Sequence, residues 1–417
     1  MELNRSNFRW VIVTLLFLIN FINYVDRASI AYAIDTIALE FHLTEWQIGL
    51  VLGAFGVGYV VTTFLGGIAA DKFGAKLTLT VSIFFWGIGS LCTGVAVGFV
   101  MVFLSRIILG LAEGPNFPAM TRAISDWLSE KERNRALSFA LISVPVALAL
   151  GGPIMSHLIV SFSWRGAYYF LTGLALIWIP IWWWLFQDKP EDSPYVNQME
   201  LTYLKEEVIS KSNDTPEKIT WGFLFFNKTL LVNNWSFFVF GYYLFFFMTW
   251  LPRYLNQVYH LNLTQIGFYS IAPWLFAAIL MWGVGVLSDY IFKKTNSLRL
   301  SRSYPILITQ FLSAICVIPI LLTHDIFYAM LFISLAVGFA MSANASYYAV
   351  NIDIAKERAG SALGIMDALF AIAGFLAPTI TGAIISLTGR FEAAFFLLIA
   401  LALSSALLTL LFHNKRA

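Results

Sequence analysis

Charge is scarce in this chain. Asp, Glu, Lys and Arg make up only 12% of its 417 residues, and their balance is +2 at neutral pH. That is far below the charged fraction of about 25% usual in soluble domains. The basic residues are scattered over many short segments, which excludes a nucleic-acid partner. Cysteine is scarcer still: Cys92 and Cys316 both lie inside apolar runs and form neither a CxxC nor a metal-ligand spacing. The five histidines, His42, His157, His260, His324 and His413, fall near the ends of apolar runs and share no ligand spacing. No nucleophile stands with a base, and no phosphate loop or metal constellation occurs, so neither an enzyme nor a cofactor is expected.

Apolar residues are abundant, at 59% of the chain, with 17% aromatic. Runs of about 18 to 25 apolar residues suit a hydrocarbon core about 30 Å thick. Twelve such runs are visible, at about 10–34, 46–70, 77–97, 99–120, 136–158, 166–187, 227–250, 264–288, 304–323, 326–350, 360–385 and 392–412. The first is too long for a signal-peptide core and lacks a small-residue cleavage pattern after it, so it reads as a retained span. The expectation is an all-α membrane protein with twelve transmembrane helices.

The longest polar interruption, Asp188 to Thr220, divides six spans from six. It places a first bundle at 1–187, a linker at 188–226 with a short amphipathic helix near Gln198–Ile209, and a second bundle at 227–417. The bundles repeat each other. GIAADKFGAK from Gly67 follows span 2, and GVLSDYIFKK from Gly285 follows span 8, an offset of 218. Arg165 and Arg390 likewise precede the similar segments AYYFL and AAFFL. Two parallel pseudo-symmetric six-helix bundles are implied, with a site at midplane between them.

Lys and Arg concentrate in cytoplasmic loops. With the N-terminus inside, 21 of the 26 lie in cytoplasmic segments, including Arg5, Lys211, Lys218, Lys356, Lys415 and Arg416. Arg165, Arg253 and Arg390 fall outside, and Arg27 and Arg106 fall in the membrane. Both termini are therefore expected in the cytoplasm, and Trp182, Trp183 and Trp184 would join an aromatic belt at the inner end of span 6.

The stretch LSRIILGLAEGPNFPA, from Leu104 to Ala119, places Arg106 and Glu113 inside an apolar run. Seven residues bring them back to within about 20° on a helix, roughly 10.5 Å apart along its axis. Gly110, Gly114 and Ala119 leave part of that surface small enough for another helix to approach. Charges at this depth cost roughly 2.5 to 3.5 kcal/mol each on insertion scales and mark functional sites by default. A second charged pair, Asp26 and Arg27, lies in span 1. Two readings stay open: a functional site, or structural ion pairs that neutralise each other and lock helices together. Tyr24 and Asn20 precede Arg27 by three and seven residues and would face one direction with it.

The loop Gly67, Asp71, Lys72, Gly74, Lys76 matches the pattern GxxxD[RK]xGx[RK] and resembles the signature loop of the major facilitator superfamily. NYVDR (Asn23–Arg27), RIILGLAEGPNFPA (Arg106–Ala119), Trp164-Arg165 and WLPRYL (Trp250–Leu255) resemble, more narrowly, the anion:cation symporter family. Its members carry hexuronates, aldonates and other organic anions, and include relatives of sialin. The resemblance covers essentially the whole chain. It implies a carrier of an organic anion driven by protons, with Arg27 for the substrate carboxylate and Asp26 and Glu113 for protons; Arg106, the other fixed positive charge in the membrane, is read from its charge as contributing to the anion's field. It also places Tyr59 near the carboxylate. Physically, burial penalises a charged carboxyl while an adjacent arginine favours it, so an acid is switched by whether its arginine is engaged.

From the second bundle, Asn344, Tyr347 and Tyr348 stand at i, i+3 and i+4 in a polar run of span 10 and are candidates to face the cavity. Asp367 in span 11 stands where similar sugar-acid carriers have Asn; it reads as a further proton site or as a receptor for a substrate amino group. Val144 stands where those carriers place a hydroxyl-binding side chain. Asp71 and Lys72, with Arg133 and Arg135, read as a gate rather than a binding site.

The reading is thus a proton-coupled symporter for a small organic anion in the cytoplasmic (inner) membrane of a bacterium. It is a monomer in the lipid bilayer, without metal or cofactor, working by alternating access. An exchanger for an amino acid or organic phosphate, and a non-transporting membrane sensor, remain the alternatives.

Overall fold

The computed structural model describes residues 6–206, 220–355 and 358–412. Arg5, Lys211, Lys218, Lys356, His413, Lys415 and Arg416, and the end of the anticipated linker helix at 207–209, lie outside the described residues. Every regular element among the described residues is helical: α1 (Phe8–Phe41), α2 (Glu45–Gly94), α3 (Phe99–Glu113), α4 (Asn116–Trp127), α5 (Glu130–Leu185), α6 (Gln198–Glu206), α7 (Trp221–Phe226) and α8 (Lys228–Tyr259) come first. They are followed by α9 (Leu263–Tyr269), α10 (Ile271–Thr295), α11 (Tyr304–Ile320), α12 (Ile326–Ser342), α13 (Asn344–Ala355), α14 (Ala359–Thr388) and α15 (Glu392–Phe412).

Two of these are pairs of spans joined without a gap. The 50-residue α2 turns at Gly74, whose φ of 81° and ψ of 165° suit a residue without Cβ. The 56-residue α5 turns at Ser163, φ 68°. Conversely, spans 4, 8 and 10 are each built from two shorter helices. In span 4, Pro115 has no N–H to offer Leu111, and the helix bends there between Glu113 and Asn116. Span 10 bends at the equivalent place, at Ala343, just before Asn344. Counted this way the chain crosses twelve times, in two bundles with the same pattern.

Small residues set the packing within the first bundle. A Cβ on Gly110 would stand 2.1 Å from the carbonyl oxygen of Phe55, and one on Gly114 would stand 2.2 Å from Thr62 Oγ1. The neighbour that the small face of span 4 admits is therefore α2. In the second bundle the aromatic α8 is buried from Phe237 to Leu255 and packs against α14 and α15. Of the three anticipated belt tryptophans, Trp183 and Trp184 are exposed, but Trp182 is fully buried. It stacks on Phe186 at 3.9 Å because its indole N–H donates inward to the Lys76 carbonyl.

The bundles meet along α2 with α14, α5 with α9 and α10, and α1 with α8. The seam is backbone on backbone: a Cβ on Gly382 would stand 2.7 Å from Gly49 Cα, and one on Gly152 would stand 2.9 Å from the Gly267 oxygen. These contacts lie at the end of the molecule remote from Asp71 and Lys72. Toward the basic end, Gly360 and Gly364 of α14 would meet nothing within 4 Å. The bundles thus close on each other at one end, while at the basic end these positions have no neighbour among the described residues across the cavity that lies between them.

Candidate functional site

Residues 26 and 27 are about 100° apart on α1, so their side chains part company. Asp26 turns into the first bundle, where Trp86 Nε1 and Ser90 Oγ both donate to its Oδ2. Arg27 turns toward the cavity. Its guanidinium lies 4.5, 4.6 and 4.8 Å from the ring centroids of Tyr24, Phe55 and Tyr59. Such rings attract a cation by their negative faces.

The charges pair across helices, not along them. Arg27 Nε and Nη2 donate to Glu113 Oε2 at 3.1 and 3.0 Å, and Nη2 also reaches Asn23 Oδ1 at 3.3 Å. Arg106 makes no hydrogen bond to Glu113, although the two share a face: seven residues set them two turns apart, about 10.5 Å along the axis, beyond the one-turn spacing at which side chains pair. Instead its Nη2 donates to the Arg27 carbonyl at 3.2 Å, while Nε and Nη1 have no hydrogen-bond partner among the described residues. Arg106 stands in the electrostatic field of Asp26. All four charged side chains are at most 3% exposed.

Tyr24, Tyr59, Tyr348 and Asp367 converge on one space, near enough to interact electrostatically across the two bundles. Tyr348 Oη donates to Asp367 Oδ1 at 3.4 Å. Asn344 is half-buried at the start of α13, with its Oδ1 unpartnered among the described residues. Two candidates lie elsewhere. Tyr347 is fully buried inside the second bundle, receives Gln310 Nε2 on its hydroxyl at 2.8 Å and packs on Phe237 and Phe240. Asn20 is also buried, donating to Ser143 Oγ at 2.7 Å.

The anticipated gate residues stay within the first bundle. Asp71 pairs with Arg122 at 3.1 Å, Arg133 donates to the carbonyls of Leu128 and Ser125 at 3.0 and 2.8 Å, Arg135 covers Trp10, and Lys72 covers Phe73. The second bundle repeats this with Asp289 and Arg302 at 3.0 Å. Among the described residues, no ion pair joins the two bundles at this end. The one that does join them is at the sealed end and was not singled out by sequence reading. Arg253 of α8 donates to Glu45 at 2.5 and 3.2 Å and also to Asp35, tying α8 to α2 and α1. A lone arginine inside the apolar WLPRYL was its signal; this residue is 8% exposed and not in an outer loop.

A sequence profile of the Major Facilitator Superfamily matches residues 16–309 and 296–417. The fold agrees: a bacterial homologue of the human lysosomal transporter Spinster, in its inward-facing and unoccupied conformation, superposes with a TM-score of 0.80 at 15% identity, covering 99% of both chains. These features define a multi-pass membrane transporter. More closely, the chain is 32% identical over 405 residues to the hexuronate transporter of Bacillus subtilis, covering 96% of this chain and 94% of that one. It is 31% identical to the probable sulfoacetate transporter SauU of Cupriavidus necator, over 94% and 91% of the two chains. It is also 32% identical to the probable galactarate/D-glucarate transporter GudP of Bacillus subtilis, over 98% and 92%. The chain belongs to the anion:cation symporter family of the Major Facilitator Superfamily.

Proposed function

We propose that this protein is a proton-coupled symporter for a small organic carboxylate, in the cytoplasmic membrane of a bacterium with both termini inside. The observation that carries the reading is the Arg27–Glu113 ion pair. It stands at the cavity wall inside an aromatic cage, where a substrate carboxylate competes with Glu113 for the same guanidinium. A guanidinium offers a planar fork matched to a carboxylate. When substrate takes it, Glu113 is left buried without its cation, and a proton restores neutrality. Asp26, facing Arg106, serves as a second proton carrier, and Asn344 and Tyr348 complete the pocket. Proton and substrate then favour each other's binding by the same factor.

With the basic end inside, the sealed end is external and the structure is inward-facing. The anionic substrates in the names of the bacterial relatives support the same class.

The test is uptake into proteoliposomes. Glu113→Gln abolishes proton-driven accumulation while leaving exchange of labelled for unlabelled substrate. Undiminished accumulation by that variant overturns the assignment. Wild-type vesicles that exchange substrate but show no net uptake in response to an imposed proton gradient overturn symport in favour of exchange.

A further inference from the structure

The mechanism above leaves Asp367 unused, and its surroundings set it apart from the other buried and half-buried acids. Glu113 has Arg27, Asp35 and Glu45 share Arg253, Glu200 has Arg9, and Asp26 has two strong donors beside Arg106. Asp367 has a single long hydrogen bond, 3.4 Å from Tyr348, and no lysine or arginine pairs with it among the described residues. A carboxylate in such a medium demands a cation or several donors. It is half-buried, faces the cavity and stands across it from Tyr59 and the Arg27 cage. Beside it Phe370 packs on Phe237 and Phe245 at 5.5 and 5.2 Å, and Phe237 meets Tyr348 edge-on at 5.6 Å. Phe237 and Phe245 are buried in the bundle; of the three only Phe370 is partly exposed, and a ring face of that kind suits an ammonium group.

Charge bookkeeping points the same way. Arg27 and Arg106 cancel Glu113 and Asp26, and a coupled proton cancels a substrate carboxylate, so Asp367 is left as the one uncompensated negative charge unless the substrate also brings a positive group. An ionised carboxylate also only accepts hydrogen bonds, whereas a hydroxyl-rich substrate is better met by an amide that both donates and accepts.

We propose that Asp367 determines specificity in the second bundle by receiving an ammonium group, so that the transported species is a zwitterion with its carboxylate on Arg27. This rests on the reading of Arg27 as a carboxylate receptor. The test is ligand binding by the purified full chain, followed by thermal shift and titration, with matched acids that differ in one group. The pairs are glycine and glycolate, 4-aminobutyrate and 4-hydroxybutyrate, and glucosaminate and gluconate.

In at least one pair the amino acid binds the wild type about tenfold more tightly than its hydroxy partner, and Asp367→Asn, which keeps the shape, removes or inverts that preference. If hydroxy acids bind the wild type equally well or better in every pair, or if Asp367→Asn keeps the preference, the proposal falls while the carboxylate reading stands. If no carboxylate binds at all, hexuronate and galactarate included, the carboxylate reading itself falls. A hydroxy acid whose binding tightens with acid in the wild type but not in Asp367→Asn would make Asp367 a proton site and overturn the ammonium assignment.

Discussion

Arg27 holds its place through shape as much as charge. Three aromatic rings lie within 4.8 Å of its guanidinium, and both of its hydrogen bonds to Glu113 converge on a single oxygen. A lysine would keep the charge but lose the planar fork and the stacking. Arg27→Lys is therefore expected to weaken carboxylate binding by about tenfold or more, measured by titration of purified protein, with little change in melting temperature. Equal affinity would show that only the charge matters. The four central charges were legible in the sequence because they interrupt apolar runs. Their partners were not, since periodicity assigns a face to a residue without naming what stands opposite. For the same reason Tyr347 and Tyr348, adjacent in sequence, ended on different sides of α13's packing, one sealed in the bundle and one at the cavity.

At the scale of elements, hydropathy marked the spans because length and apolarity alone define them. It missed how they join: Gly74 and Ser163 turn the chain within continuous helical runs. It also underrated the linker. The short helix anticipated near residue 198 exists as α6, and its Glu200 is fully buried. That carboxylate accepts from Ser6 Oγ at 2.6 Å, from the Phe8 and Arg9 amides at the start of α1, and from Arg9 Nη1 at 2.6 Å. Arg9, 1% exposed, is shared with Glu132 of α5 at 2.9 Å. Glu200 thus caps α1 from another element and adds a negative charge at a helix N-terminus. Removing one partner of a buried pair is costly, so Glu200→Ala is expected to destabilise the first bundle by about 3–5 kcal/mol. The drop should appear in thermal melts in detergent; an unchanged melt would mean that α6 rests on the bundle without holding it.

At the scale of the whole molecule, the twofold repeat was legible from the offset of 218 between the two loops, and the structure repeats it down to the bends in spans 4 and 10. Which end is shut was not legible, because under the proposed alternating-access cycle one sequence supports both closures. Here the closure consists of glycine backbones in direct contact and one arginine between two acids. Such a seam holds while both are intact. Arg253→Gln removes both ion pairs that join the bundles among the described residues at that end, and is expected to favour opening. In a Cys92→Ser, Cys316→Ser background, Ser270→Cys, buried at the seam, should then be labelled by an impermeant maleimide about tenfold faster than with Arg253 present. Equal labelling would assign the closure to the glycines alone.

The clamp at Glu200 has a consequence for how far the open end can gape. The far side of the linker is equally committed: α7 buries Leu224 against Leu230, Ala355 and Ala362 of the second bundle, and Arg358 covers Trp221. Between the end of α6 at Glu206 and the cap of α7 at Thr220, the chain can stretch to roughly 45–50 Å at most. The linker thus works as a leash of fixed maximum length between two points that each ride on their own bundle. Any movement of one bundle against the other under the proposed cycle is then bounded by that length at the basic end.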